Sequence, residues 1–200
     1  MILDKGFSSK EYQFLTLFYT KEFIQNKNKK ITVVIPGGVS QKRRDYRHIL
    51  DSIQKSELAE NIEFVFLGKA KGEELENIKN VSGKFNLKYF TERISQEEFE
   101  FWMKKADVLW CPIQSETEFF SQKEIYGKTK MTGNIGDAIK FGKIAVFPKN
   151  YASDLDFTVQ EKENLIQQFY DLKDFKYDFQ KNYNKQTVLE NLENLLENLI

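Results

Sequence analysis

The sequence is poor in the residues that build covalent cross-links and metal sites. It contains one cysteine, Cys111, and one histidine, His48, among its 200 residues. A single cysteine excludes an internal disulfide and a cysteine-rich zinc site, and a single histidine excludes a cluster of histidine ligands. Cys111 lies in the apolar run ADVLWCPI, which indicates a packed core thiol. We therefore expect no metal site.

An excess of charge of one sign and long apolar runs are also missing. Thirty basic residues balance thirty acidic residues, so no overall charge favours nucleic acid or an anionic membrane. No run approaches the roughly 20 apolar residues that span a bilayer. The N-terminus carries Asp4 and Lys5 and lacks the apolar segment of a signal peptide. These absences predict a soluble, cytoplasmic protein without nucleic-acid partners, in which any anion site is local.

What the chain does contain is an alternation of apolar runs with amphipathic helical patterns. Five runs predict strands, namely residues 31–35, 62–67, 84–90, 107–113 and 144–147. Strands that alternate with helices imply a doubly wound parallel sheet, a Rossmann-like α/β fold with flanking N- and C-terminal helices. Residues 31–200 form the predicted domain. Residues 1–30 form a leading linker with a helical pattern over 8–27.

Two segments at the predicted carboxyl edge of the sheet have the composition of a ligand site. Open α/β sheets bind ligands beyond the carboxyl ends of their strands, where Pro36-Gly37-Gly38 follows the first strand. A loop of about 20 residues, 114–134, follows the fourth strand, and loops of that length are usually functional or disordered. Its aromatic residues argue against disorder. It leads into a short helix over 135–141.

Four segments in order resemble the C-terminal, donor-binding domain of GT-B glycosyltransferases: PGGVSQKRRDY, FVFLGKA, KKADVLWCPI and GDAIKFGKIAVFP. The closest resemblance is to the family that includes bacterial capsule and lipopolysaccharide mannosyl- and glucosyltransferases, and it covers about residues 31–200. It implies a nucleoside-diphosphate sugar as donor substrate, no cofactor, and a glycan or lipid-linked acceptor. It also implies a missing N-terminal acceptor domain, through which any peripheral membrane association would run.

The resemblance also implies roles for individual residues. The pair Gly37–Gly38 matches the glycine turn near the donor phosphates, and Arg44 matches the lysine that reaches the diphosphate. Glu124, in the segment EIYG, matches a carboxylate near the sugar. Asp137 matches a second carboxylate, which would bond the ribose hydroxyls. More residues separate these two carboxylates than in the family.

Elementary chemistry supports a cationic site without a metal. A diphosphate leaving group needs its developing charge stabilised, which cations and the N–H groups at a helix start can do. The candidate catalytic residues are Arg44, Lys130 and Glu124. The candidate donor-binding residues are Gly37, Gly38, Tyr126, Lys128, Thr132, Gly133 and Asp137. His48 lies between Arg47 and Ile49 on the helix predicted over residues 42–56, after the first glycine turn, which indicates a surface histidine rather than a catalytic base.

Three functional hypotheses remain open from the sequence. The first is the donor domain of a glycosyltransferase that lacks its acceptor half. The second is a non-catalytic partner subunit that binds a nucleotide sugar. The third is an α/β interaction module without sugar chemistry. Receiver-like modules of that third class carry acidic residues at the end of the first strand, where this chain has Pro36-Gly37-Gly38.

Overall fold

A six-stranded parallel sheet forms the centre of the protein. The computed structural model describes residues 16–21, 30–127, 129–151 and 153–198. Its strands are β1 (Ile31–Pro36), β2 (Ile62–Lys69), β3 (Leu87–Phe90), β4 (Val108–Trp110), β7 (Ile144–Phe147) and β8 (Thr158–Gln160). They lie side by side in the order β3-β2-β1-β4-β7-β8. Chain order reverses between β1 and β4, which confirms the predicted doubly wound, Rossmann-like topology.

Helices cover both faces of this sheet, and each face has its own apolar core. The helices of the first face are α1 (Tyr46–Gln54), α2 (Gly72–Ser82) and α5 (Leu165–Lys173). Those of the second face are α3 (Gln96–Lys105), α4 (Gly133–Phe141) and α6 (Phe179–Tyr183). A final helix, α7 (Lys185–Glu197), follows α6. None of the helices in the described residues is long and apolar enough to cross a membrane.

The centre of the sheet follows from the β-branched composition of β1. All six residues of β1 are buried, as a continuous apolar run requires when both faces of a strand are covered. β1 pairs with β2 on one side and with β4 on the other. Cys111, just after β4, is fully buried as predicted, and burial raises the pKa of its thiol.

The long loop after β4 contains two strands that the sequence analysis did not predict. They are β5 (Glu116–Phe119) and β6 (Gln122–Ile125), and they pair as an antiparallel hairpin. The prediction missed them because their connection, Phe120–Ser121, lacks the Asn-Gly or Asp-Gly signal of a two-residue hairpin turn.

The helix predicted to follow the first glycine turn begins later than its pattern indicates. The N–H groups of Arg43 and Arg44 both donate to the Ser40 carbonyl, so residues 40–44 form a turn. Asp45 then caps α1 and accepts a hydrogen bond from the N–H of His48. Arg44 is thereby held in a turn before α1 and not on its exposed face.

The helix predicted over residues 8–27 does not extend through 16–21, which are irregular, and the remainder lies outside the described residues. The irregular segment lies against α4 and α6. The Thr20 hydroxyl donates to the Ile139 carbonyl, and the Thr20 N–H donates to the Tyr183 carbonyl at 2.7 Å. The Phe18 ring lies against the α-carbon of Gly136. These contacts use backbone groups that an uninterrupted helix would bond internally.

Candidate functional site

The site is built around the glycine turn at the end of β1. The Gly37 N–H donates to the Leu67 carbonyl at 3.0 Å, which ties the turn to β2. Gly37 has φ of +106°, a conformation that side chains rarely adopt. A Cβ added to Gly68 would overlap the Gly37 carbonyl, so the turn lies directly on the backbone of β2. The glycines at 37 and 68 therefore allow the turn to pack directly against the backbone of β2 at the carboxyl edge of the sheet.

Arg44 lies directly over this turn. A Cβ on Gly37 would overlap its guanidinium, whose Nη1 donates to the Gly38 carbonyl at 3.4 Å. Its Nη2 donates to Oδ1 of Asn134 at 3.4 Å. Its Nε is buried and has no hydrogen-bond partner among the described residues. The Asp45 N–H donates to the Pro112 carbonyl at 2.8 Å, which ties the turn of residues 40–44 to the chain after β4.

The N-terminus of α4 is the third component of the site. Thr132 is the N-cap, and its hydroxyl accepts a hydrogen bond from the Asn134 N–H at 3.3 Å. The Asn134 Nδ2 donates to the Pro36 carbonyl at 3.4 Å. Asn134 therefore joins the start of α4 to the end of β1. Gly133, the first residue of α4, is exposed at this edge, where the helix dipole favours negative charge.

Asp137 lies one turn further along α4, and the pKa of its carboxyl is raised. Burial raises the pKa of its carboxyl to about 6, against the opposing effects of Lys140, Arg44 and a hydrogen bond with Asn134. The carboxyl is thus ionised and accepts hydrogen bonds at neutral pH. Because the charge is buried, ionisation lowers the free energy of unfolding.

We expect Asp137→Asn to stabilise the protein at pH 7.5. A folded-state pKa above the ordinary 3.8 means that stability falls as pH rises through the window from about 4 to 6. The asparagine variant avoids this loss, so its free energy of unfolding should exceed that of the wild type by up to about 3 kcal/mol above pH 6. Urea unfolding at pH 4 and pH 7.5 measures the difference.

The control for this prediction is Asp154→Asn, which removes an exposed carboxylate. That variant should match the wild type at both pH values. A stability difference for Asp137→Asn that is the same at both pH values would contradict the assigned protonation.

The remaining candidate residues lie at the base of the hairpin. Glu124 is on β6, opposite Thr117. Tyr126 and Lys130 form an isolated β-bridge across a tight turn. In this turn the Gly127 N–H donates to the Lys130 carbonyl at 2.9 Å. A cleft of about 210 Å³ lies beside this turn, lined by Tyr126 and by residues after β4 and β7. Lys128, predicted to bind the donor, lies outside the described residues.

His48 lies at the surface, as the sequence analysis predicts, but its imidazole also takes part in a hydrogen-bonded cluster. Its Nε2 lies 2.9 Å from Oε2 of Glu161, and the Trp110 indole N–H donates to Oε1 of the same carboxylate at 2.7 Å. The hydrogen bond and charge of Glu161 raise the pKa of His48. Glu161 follows β8 and is buried, so this cluster connects α1 to the edge of the sheet.

Two residues of this edge, Asn134 and Glu161, were missed by the sequence analysis. Asn134 is only 2% exposed, and its side chain bonds groups far away in the sequence. Its local signal is the position two residues after a threonine N-cap, which says nothing about Pro36 or Arg44. Glu161 has no local signal, because its partners lie on α1 and β4.

A cavity of about 400 Å³ lies at the opposite, amino-terminal edge of the sheet. It contains Lys143, which is 4% exposed and whose Nζ donates to the carbonyls of Lys104 and Ala106 at the end of α3. Burial lowers the pKa of this amine to about 8. Lys143 thus caps α3, a structural task. We place the functional site at the carboxyl edge, where parallel sheets bind ligands.

The described residues contain no group of three or more His, Cys, Asp or Glu side chains that could hold a metal ion. The positive charge that the described residues bring to the start of α4 includes the Arg44 guanidinium and the helix N-terminus.

No family model matches the sequence, and neither does any curated protein. Solved structures do match, including that of the GtfA/B complex, at 9% identity and a TM-score of 0.58 over 97% of this chain. The pneumococcal O-GlcNAc transferase GtfA, in complex with UDP and GlcNAc, matches at 11% identity with a TM-score of 0.52 over 97% of this chain. TarM matches at 13% identity with a TM-score of 0.50 over 96%.

The chain is similar in fold to GT-B glycosyltransferases. This confirms the predicted resemblance at the level of the fold. The chain spans about two fifths of the length of these solved chains, 42% of the first two and 40% of TarM.

Proposed function

We propose that this chain binds a nucleoside-diphosphate sugar and forms the donor half of a glycosyltransferase. The observation that carries the proposal is the position of Arg44. Its guanidinium is fixed between the Gly37–Gly38 turn and Asn134 at the start of α4. A positive side chain and a helix N-terminus therefore converge at the switch point between β1 and β4, the usual ligand position in such sheets.

A diphosphate suits this arrangement better than a neutral ligand does. Arg44 presents a planar set of N–H donors that matches phosphate oxygens, and its buried Nε has no partner among the described residues. The first N–H groups of α4 face the same edge. During transfer, these donors stabilise the charge that develops on the leaving diphosphate. The reaction then requires no metal ion.

The other candidate residues take roles further along the donor. Asp137, ionised above about pH 6, accepts hydrogen bonds from the ribose hydroxyls. Glu124 and Tyr126 contact the sugar, and Lys130 adds positive charge near the diphosphate. The Thr132 hydroxyl already caps α4, so its part is to hold the helix start in place.

The acceptor site would lie in a second half, outside the region of the solved structures that this chain matches. The solved glycosyltransferases of similar fold are more than twice as long as the matching region. A second half would supply the glycan or lipid-linked acceptor and any contact with a membrane surface. The alternative function is a non-catalytic subunit that binds the nucleotide sugar for a partner. The similarity to a structure determined as a two-component complex, GtfA/B, favours this alternative over an α/β module without sugar chemistry.

Calorimetric titration of the chain with UDP, GDP, ADP and CMP tests the proposal. We expect one nucleoside diphosphate to bind saturably and its monophosphate to bind more weakly, because the second phosphate meets Arg44. Absence of binding by every nucleotide would contradict the proposed donor site. Transfer assays with the corresponding sugar nucleotide then separate the enzyme from the non-catalytic subunit.

A further inference from the structure

The hairpin of β5 and β6 leaves the domain at the same edge as the proposed donor site. It follows β4 and leads into α4. Both of its flanks contact the Arg44 turn, because the Gln114 N–H donates to the Arg43 carbonyl at 3.0 Å and the Arg44 Nη2 donates to Asn134 of α4. Its strands pair from Glu116 with Ile125 at the base to Phe119 with Gln122 at the tip. The base of the hairpin therefore lies beside the Arg44 turn.

The tip of the hairpin has an unfavourable sequence for its shape. Phe120 and Ser121 have φ of +48° and +59°, the pattern of a type I′ turn. Asn-Gly suits this turn, whereas a phenylalanine at positive φ is strained. The Phe120 side chain is also 86% exposed. The chain gives up local stability here and projects a large aromatic ring toward solvent, which is the property of an interface anchor.

The charges of the hairpin indicate the kind of surface that it fits. Three glutamates, at 116, 118 and 124, and one lysine, at 123, give residues 116–125 a net charge of −2. Negative charge around an exposed aromatic opposes insertion into an anionic bilayer. It complements an apolar pocket with a basic rim on a protein.

We propose that the hairpin docks on the protein half that completes the glycosyltransferase, with Phe120 inserted in an apolar pocket of that half. This inference rests on the proposed function. The partner is identified by two observations. The solved glycosyltransferases of similar fold have more than half of their length outside the region that this chain matches. The hairpin emerges beside the Arg44 turn, at the edge of the sheet that the other half would face.

Two substitutions separate docking from hairpin stability. Phe120→Asn replaces the strained aromatic by a residue that tolerates positive φ, so the melting temperature should stay equal or rise. Loss of the anchor should nevertheless weaken docking at least about tenfold. Ser121→Gly relaxes the same turn and keeps the ring, so it should stabilise the hairpin without weakening docking.

The partner surface is identified by photo-cross-linking in the cells that make the protein. Phe120 is replaced by p-benzoylphenylalanine, and a control carries the same probe in place of Phe101, which is 57% exposed on α3. We expect an adduct from position 120 alone. Peptide mass spectrometry should locate it on an α/β glycosyltransferase half, either in a longer form of this chain or in a separate one. That half, once purified, serves for the affinity measurements on Phe120→Asn and Ser121→Gly.

The outcomes decide the proposal in either direction. The proposal would be overturned by an adduct to lipid, to a second copy of this chain or to an unrelated protein. It would also be overturned by equal cross-linking from position 101, or by no adduct at all. Wild-type affinity of Phe120→Asn for the captured half would contradict it as well. Calorimetry of Phe120→Asn with the nucleoside diphosphate should match the wild type. Loss of docking with intact nucleotide binding supports the hairpin interface. Lack of nucleotide binding by the wild type is a failure of the donor site instead.

Discussion

Arg44→Ala is expected to weaken binding of the nucleoside diphosphate by about 10- to 100-fold. Hydrogen bonds to charged groups contribute about 1.5–3 kcal/mol, and each 1.4 kcal/mol is a factor of ten in affinity. The substitution also leaves the Asn134 Oδ1 and the Gly38 carbonyl without the donor that they share. Titration calorimetry of the folded variant measures the loss directly.

Arg43→Ala is the matched control, because it removes an exposed guanidinium from the adjacent position of the same turn. Its nucleotide affinity should remain within about twofold of the wild type, since exposed charges contribute little. Arg44→Lys should recover only part of the affinity, because an ammonium cannot reproduce the planar donor set. Equal affinities for Arg43→Ala and Arg44→Ala would show that the site is elsewhere.

Gly68→Ala should destabilise the domain by about 3 kcal/mol, the upper end of ordinary overpacking. The new Cβ would overlap the Gly37 carbonyl and lie 2.8 Å from the Gly38 α-carbon. These are backbone atoms, which cannot rotate aside as a side chain does, so the glycine turn must move away from β2. Chemical denaturation gives the free energy of unfolding. Because Arg44 lies on this turn, nucleotide binding should weaken as well.

Gly38→Ala provides the comparison within the same turn. A Cβ at Gly38 meets no atom within 4 Å among the described residues. This variant should therefore unfold within about 0.5 kcal/mol of the wild type, as is usual for surface substitutions. Similar destabilisation by both substitutions would mean that glycine flexibility, and not the contact with β2, sets the effect.

The fold was predictable where a local sequence pattern is compatible with a single kind of secondary structure. The continuous β-branched run of β1 and the glycines after it specify a buried strand and a turn, and the alternation of such units specifies the parallel sheet. The β5–β6 hairpin was not predictable, because Phe120–Ser121 is a sequence that seldom makes a tight turn. The start of α1 was misplaced because the Asp45 N–H donates to the distant Pro112 carbonyl and so does not continue the turn that begins at Ser40.

The candidate site was predictable only in part for a related reason. The rule that ligands bind at the carboxyl ends of parallel strands indicated the Gly37–Gly38 turn, and the family resemblance added Arg44 and Asp137 before their contacts were known. Asn134 connects these groups through bonds that cross 90 or more positions of sequence, which no local pattern encodes. The ligand-binding roles of Gly37, Arg44 and Asp137 stay predictions, as do the sugar-side roles of Glu124, Tyr126 and Lys130.

The pairing of His48 and Trp110 with one carboxylate has an optical consequence. The two rings lie edge to face with centroids 6.1 Å apart. A protonated imidazole quenches excited indole more strongly than a neutral one, so emission from Trp110 should fall as pH drops through the raised pKa of His48. Trp102, the other tryptophan, donates instead to Glu98 on its own helix. The protein thus carries an intrinsic fluorescent reporter of the junction between α1 and the outer strand of its sheet.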